Sequence, residues 1–197
     1  MGIKFIIDSA ADLPAEVVED YNIDVFPLYV SHKEQYFKDR EEIKPKTLYD
    51  GMREGKVYKT SQVTVNDFAG KFRQYAEADK TVIYFAFSSE LSGTMQSAVL
   101  AKNQVLKDYP DFDLTIIDTR SASLGIGLAL YLTLQAVEEG DSKGEVIEKA
   151  RYFTGHIHHI FTVDDLEYLV RGGRLGKVAG FVGTIMNIKP ILAIEDG

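Results

Sequence analysis

The sequence predicts an α/β protein: an N-terminal doubly wound parallel-sheet domain, followed by a second, smaller and incomplete α/β domain. Three observations carry this. Short β-type apolar runs alternate with helical patterns along most of the chain. One run, Thr81–Phe87 (TVIYFAF), is apolar on both faces, as a central strand of a parallel sheet must be. Beyond residue 154 the alternation restarts but offers only two strand candidates, too few for an independent sheet. The domains are therefore expected at residues 1–154 and 155–197, the second being the start of a truncated domain.

The elements follow in order. Ile3–Ile7 is an apolar β run ended by Asp8-Ser9, and Leu13 to Tyr21 has helical spacing with Pro14 in its first turn. Val25–Val30 is a strand in which Pro27 indicates an edge or a local bend. Pro45–Glu54 is a helix stopped near Gly55, and Val65–Ala78 is a clearer one, with Phe68, Phe72, Tyr75 and Ala76 on one face. After Thr81–Phe87 come a helix from Gly93 to Lys107, the strand Leu114–Ile117 and a long apolar helix from Ser123 to Glu138. A polar stretch (EEGDSKGE) precedes a helix over Glu145–Phe153 and a strand over His159–Val163. A break at Arg171–Arg174, a Gly-spaced apolar helix over Val178–Met186 and a strand over Pro190–Ile194 complete the pattern.

Composition excludes several function classes. The chain has 197 residues, 22 Lys+Arg against 30 Asp+Glu and a net charge of −8, so nucleic acid is not the expected main partner. Loose docking on an anionic membrane is disfavoured for the same reason. There is no cysteine, which removes a disulfide framework, a thiol nucleophile and a thiolate metal site. The N-terminal apolar run meets Asp8 too early for a signal peptide, and Leu124–Leu134 is too short to span a bilayer. The expectation is a cytoplasmic protein without stable membrane insertion.

Ligands of open α/β sheets bind beyond the carboxyl ends of the strands, and here those ends are rich in hydroxyls. The clusters are Asp8-Ser9, Ser88-Ser89-Glu90-Leu91-Ser92-Gly93-Thr94 and Asp118-Thr119-Arg120-Ser121, with Lys59-Thr60-Ser61-Gln62 in a loop ahead of a helix. Helix capping is the plain explanation, and it is the one expected for Ser9 and Ser121. For SSELSGT an anion site competes evenly with it. Gly93 would let the backbone approach a ligand, and the helix start at Thr94 would supply free N–H groups. No GxxxxGK[ST] cradle exists, and Gly125-x-Gly127 lacks a third glycine, so neutral hydroxyls at a helix start suit a single carboxylate better than a polyphosphate.

Catalytic and metal readings are weaker. No serine sits in a GxSxG elbow. His156 and His158 would share a strand face, but no carboxylate stands at a convincing offset, so neither metal nor cofactor is expected. The Leu124–Val137 helix is apolar nearly all round and should be buried on every side. Together with Val178–Met186 it forms either plain core between two domains or the wall of a site for a long apolar ligand, with Phe181 the wall residue singled out.

Five ordered motifs then carry a resemblance over the whole chain: Asp8-Ser9-Ala10-Ala11-Asp12-Leu13-Pro14, Lys59-Thr60-Ser61-Gln62, Ser88 to Thr94, Gly172-Gly173-Arg174, and Asn187-Ile188-Lys189-Pro190-Ile191-Leu192. Together they resemble the DegV family of bacterial fatty-acid-binding proteins, whose members include the acyl-carrier subunit of fatty acid kinase. The resemblance implies a non-enzymatic protein that buries a long-chain fatty acid in a tunnel between two α/β domains. It implies that Thr60 and Ser92 hold the carboxylate, with Ser61, Gly93 and Thr94 beside them in the ligand site. It further implies that Arg174 faces a fatty acid kinase catalytic subunit, which phosphorylates the bound carboxylate. Ala10 and Met95 depart from residues common in the family, and family members continue past Gly197. An acyl chain of about 15 methylenes at about 0.8 kcal/mol each contributes roughly 12 kcal/mol as an upper bound, so apolar burial should dominate affinity. The competing function is an α/β enzyme acting on a carboxylate or phosphate substrate with Ser92 as nucleophile; in a third, purely structural reading, every hydroxyl cluster is a cap.

Overall fold

The computed structural model describes residues 2–163, 165–174, 189–195 and 197. They fall into two compact units, Met1–Ile157 with Gly197, and His158–Asp196. Among the described residues no helix is long and apolar enough to cross a membrane.

The first unit is built on a four-stranded parallel sheet of β1 (Ile3–Asp8), β2 (Asp24–Phe26), β6 (Thr81–Ala86) and β7 (Leu114–Asp118) in the order β2-β1-β6-β7. The period of two divides its side chains between two cores. Ile6, Phe26, Val82, Tyr84 and Leu114 face α3 (Val65–Glu77) and α4 (Thr94–Val105), where Phe68, Phe72, Ala98 and Ala101 meet them. Phe5, Ile7, Ile83, Phe85 and Ile117 face the other way, against Ile126, Leu130 and Leu134 of α5 (Leu124–Glu138) and Val146 and Ala150 of α6 (Lys143–Thr154). Helices on both faces of a parallel sheet make the unit doubly wound, and Ile83 and Phe85 are fully buried as the two-sided apolar run requires.

Local signals set several helix starts. Thr64 and Ser142 each form a capping box, with Asp67 and Glu145 respectively. Pro14 is the N-cap of α1 (Ala15–Asp20), one position earlier than its expected place inside the first turn. α2 (Pro45–Arg53) begins on Pro45, where a missing N–H costs nothing.

Four expectations are corrected. Val25–Val30 is two strands, not one: the chain breaks at Pro27, so that β2 is an edge of the parallel sheet while β3 (Tyr29–His32) enters another. That second sheet is antiparallel, β4-β3-β5, and adds β4 (Gln35–Lys38) and β5 (Lys59–Ser61), so Lys59-Thr60-Ser61 is a strand and not a loop. α5 is not buried on every side, because Leu124, Leu128 and Tyr131 are 71%, 48% and 41% exposed along one stripe. Ser9 and Ser121 cap no helix; each spends its hydroxyl on a tertiary or loop partner described below.

In the second unit β8 (His159–Thr162) pairs antiparallel with β9 (Ile191–Ile194), with α7 (Glu167–Gly172) between them in sequence. α7 is absent from the sequence-based expectation, which placed only the break; the glycine pair is where α7 stops, with Gly173 left-handed at φ 70°. The expected helix over Val178–Met186, and with it Phe181, lies outside the described residues.

Candidate functional site

The chain runs from β1 to β2 on one side and later returns to β6 on the other side of β1, so the winding reverses between β1 and β6. A crevice opens beyond the carboxyl ends of strands at such a reversal. Asp8 ends β1 there. Its Oδ2 accepts hydrogen bonds from the Tyr84 hydroxyl (2.8 Å) and the Phe87 amide (2.9 Å), and its Oδ1 accepts from the Ala10 amide (3.1 Å). Burial pushes the Asp8 carboxyl up to about 6 from an ordinary 3.8, against the downward pull of those three donors. Asp8 thereby ties the two central strands together just beneath the site.

Above it the loops lock onto one another. The Ser9 hydroxyl donates to Asp39 (2.7 Å) and accepts from the Leu28 amide (3.0 Å), holding the turn that separates β2 from β3. Ser121 donates to the Thr119 carbonyl (2.9 Å), and Ser89 donates to Asp118 (2.6 Å), joining the loops after β6 and β7. These hydroxyls are committed to structure. Asp12 accepts from both Arg40 and Ser123.

The start of α4 is different. Ser92 is half-buried, its Oγ lies 2.9 Å from Thr94 Oγ1, and it accepts from the Thr94 amide at 3.2 Å. Thr94 is fully buried. The Thr94 amide is taken by Ser92, and the amides that follow have no carbonyl four residues earlier within α4. Among the described residues the Ser92 hydroxyl meets Thr94 alone, without a histidine or carboxylate to take its proton. The Ser92 and Thr94 hydroxyls thus stand paired at the start of α4.

The second motif comes from β5. Thr60 pairs with Val30, while Ser61 pairs with Tyr29 and Lys59 with Ser31, so strand alternation puts Thr60 and Ser61 on opposite faces of the antiparallel sheet. Both hydroxyls are exposed. Gln62, two residues beyond Thr60, reaches α4: its Nε2 donates to Ser97 Oγ at 2.7 Å, and its amide lies over Gly93. The structure thus joins the TSQ and SGT motifs through Gln62, for which local sequence suggests no role. Asp8 was missed in the same way, although an aspartate ending an apolar strand is a readable signal.

Other candidates separate. His156 lies past the end of α6, its Nδ1 2.7 Å from the Tyr152 carbonyl and its ring stacked on Tyr152, so it shares no strand face with His158. Among the described residues no group of histidines and carboxylates could hold a metal ion. Arg174 is exposed just past the glycine pair, with Nη1 donating to the Gly172 carbonyl.

Fold and site together define the class: a doubly wound α/β protein with paired hydroxyls at the start of the helix that follows a central strand. The chain belongs to the DegV family, whose profile, described as an uncharacterised protein family, matches residues 2–197. It is 38% identical over 205 residues to a fatty acid-binding protein of Thermotoga maritima, covering 100% of this chain and 69% of that one. It superposes with a TM-score of 0.91 and 32% identity on a stearic acid-binding protein from Eubacterium ventriosum, over 99% of this chain and 68% of that one. A third likeness, at TM-score 0.80 and 27% identity over 99% and 69% of the two chains, is to the fatty acid kinase (Fak) B3 protein of Streptococcus pneumoniae loaded with linoleic acid.

Proposed function

We propose that this protein binds a long-chain fatty acid, with Thr60 and Ser92 holding the carboxylate, and presents it to a fatty acid kinase for conversion to an acyl phosphate. The observation that carries this reading is the Ser92–Thr94 hydroxyl pair at the start of α4, in a chain similar to proteins named for stearic and linoleic acid. Gly93 lies under the Gln62 amide, and Thr94 orients Ser92. Ser61, on the face opposite Thr60, contributes through the strand and not through its hydroxyl. The kinase carries out the chemistry and this chain supplies the ligand, which agrees with a Ser92 hydroxyl that meets Thr94 alone among the described residues. Arg174 serves the kinase encounter, because its planar fork matches a carboxylate or phosphoryl group of a partner.

The test is native mass spectrometry of the purified protein, followed by titration with stearate or oleate. A co-purifying or readily bound fatty acid is expected. Ser92→Ala should weaken binding about tenfold or more, since hydrogen bonds to a charged group contribute about 1.5–3 kcal/mol. Arg174→Ala should leave that affinity within about twofold while acyl-phosphate formation with the kinase falls about tenfold. An empty protein that takes up no fatty acid, or one that turns over esters in a Ser92-dependent manner, would favour the enzyme reading instead.

A further inference from the structure

We propose that Gln62 is a positioning residue for the ligand's head group: its side-chain amide sets the spacing between Thr60 on β5 and Ser92 at the start of α4. The inference rests on the fatty-acid reading and assigns a cause to its selectivity for a free carboxylate.

Two independent observations support it. The first is the hydrogen bond from Gln62 Nε2 to Ser97 Oγ, 2.7 Å long, made to a serine that is 2% exposed and therefore a fixed anchor. The second is Gly93. Its φ of −74° and ψ of 4° are open to any residue, so no backbone requirement explains a glycine there. A Cβ there would overlap Gln62 Oε1 and sit 2.9 Å from Gln62 Cδ, so any larger residue would have to displace the amide from its present place. The helix start has been emptied of a side chain, and the Gln62 amide occupies the room.

The consequence is mechanical. Among the described residues β5 is an edge strand paired to β3 alone, so its ladder does not fix its position relative to α4. Gln62 follows the last residue of β5 directly and lies two residues beyond Thr60. Gln62 therefore tethers the end of β5 to the first turn of α4, with Ser97 N bonded to the Gly93 carbonyl at 3.0 Å to stiffen the turn. Two hydroxyls on separate elements can grip one carboxylate only if their separation is held to a fraction of an ångström. A tether of this kind acts on the head group and leaves acyl-chain burial unchanged.

The experiment compares stearic acid with its methyl ester, each displacing a fluorescent fatty-acid probe, in the wild type, Gln62→Ala, Ser97→Ala and the double variant. Gln62→Ala should weaken the acid about tenfold and the ester by less than about twofold, because only the ionised head engages both hydroxyls. Ser97→Ala should act in the same direction, and the double variant should be no worse than Gln62→Ala alone, since both changes cut one bond. Gly93→Ala, which displaces the amide without removing it, should reproduce the acid-selective loss. Equal losses for acid and ester, or no loss, in folded Gln62→Ala and Ser97→Ala proteins would overturn the positioning role while leaving fatty-acid binding intact. A wild type that binds neither compound would overturn the fatty-acid reading, and this inference with it.

Discussion

Tyr84→Phe is expected to cost about 2 kcal/mol of stability at pH 8 and markedly less at pH 5. The hydroxyl it removes donates to Asp8 at 2.8 Å inside the sheet, and a hydrogen bond to a buried charged group is worth about 1.5–3 kcal/mol. The pH dependence follows from the direction in which Asp8 is shifted. Burial raises its carboxyl to about 6, above the ordinary 3.8, so the folded chain holds the proton more tightly than the unfolded one. The stability Asp8 contributes is complete below about pH 4 and is lost as pH climbs to about 6, a fall of roughly 3 kcal/mol. Without the Tyr84 donor the ionised form is held less well and the window extends upward. Urea unfolding of both proteins at the two pH values checks this. A cost that is the same at both would mean that Tyr84 acts through packing and not through the Asp8 charge.

Gly127→Ala should cost about 2 kcal/mol, whereas the same change at Gly70 should stabilise the protein by about 0.5–1 kcal/mol. Both glycines lie inside helices, α5 and α3, where alanine is the better helix former. They differ in what a Cβ would meet. At Gly70 there is nothing within 4 Å, whereas at Gly127 the Cβ would overlap the backbone carbonyl oxygen of Asp12 and approach its carbon to 3.2 Å. That backbone cannot retreat. Asp12 N donates to the Ser123 carbonyl at 3.1 Å, Ser123 N donates to the Ala10 carbonyl at 2.9 Å, and Ser123 is itself held at φ 53°. The overlap therefore forces α5 away from the loop after β1, next to the crevice. Thermal unfolding of the two variants should show midpoints displaced in opposite directions. A gain at both positions would show that the approach of Asp12 to α5 yields without cost.

The sequence by itself determined the elements whose signal is local. Thr81–Phe87 announced a central strand because seven residues carry both faces of its apolar environment. Ser142 and Glu145 were not singled out, yet their three-residue spacing is a capping box that the structure completes. The hydroxyl-rich SSELSGT segment was legible as a helix start, since residue type and spacing express it. β5 was not, because three polar, exposed residues carry no period-two apolar pattern to distinguish a strand from a loop. Pro27 looks the same in sequence whether it bends one strand or divides two sheets, and only the pairing partners of Asp24–Phe26 and Tyr29–His32 separate the cases.

Tertiary structure decided the rest, because the deciding partners lie far away along the chain. Ser9 resembles a cap by its neighbours, but its hydroxyl goes to Asp39, 30 residues on. α5 is apolar on all sides, and composition cannot say that the stripe of Leu124, Leu128 and Tyr131 is the one left exposed. Gln62 and Ser97 are 35 residues apart, and nothing local to either shows that one amide will rest on Gly93. Residue types named the chemistry available, while tertiary structure brought the end of an edge strand to a helix start through Gln62.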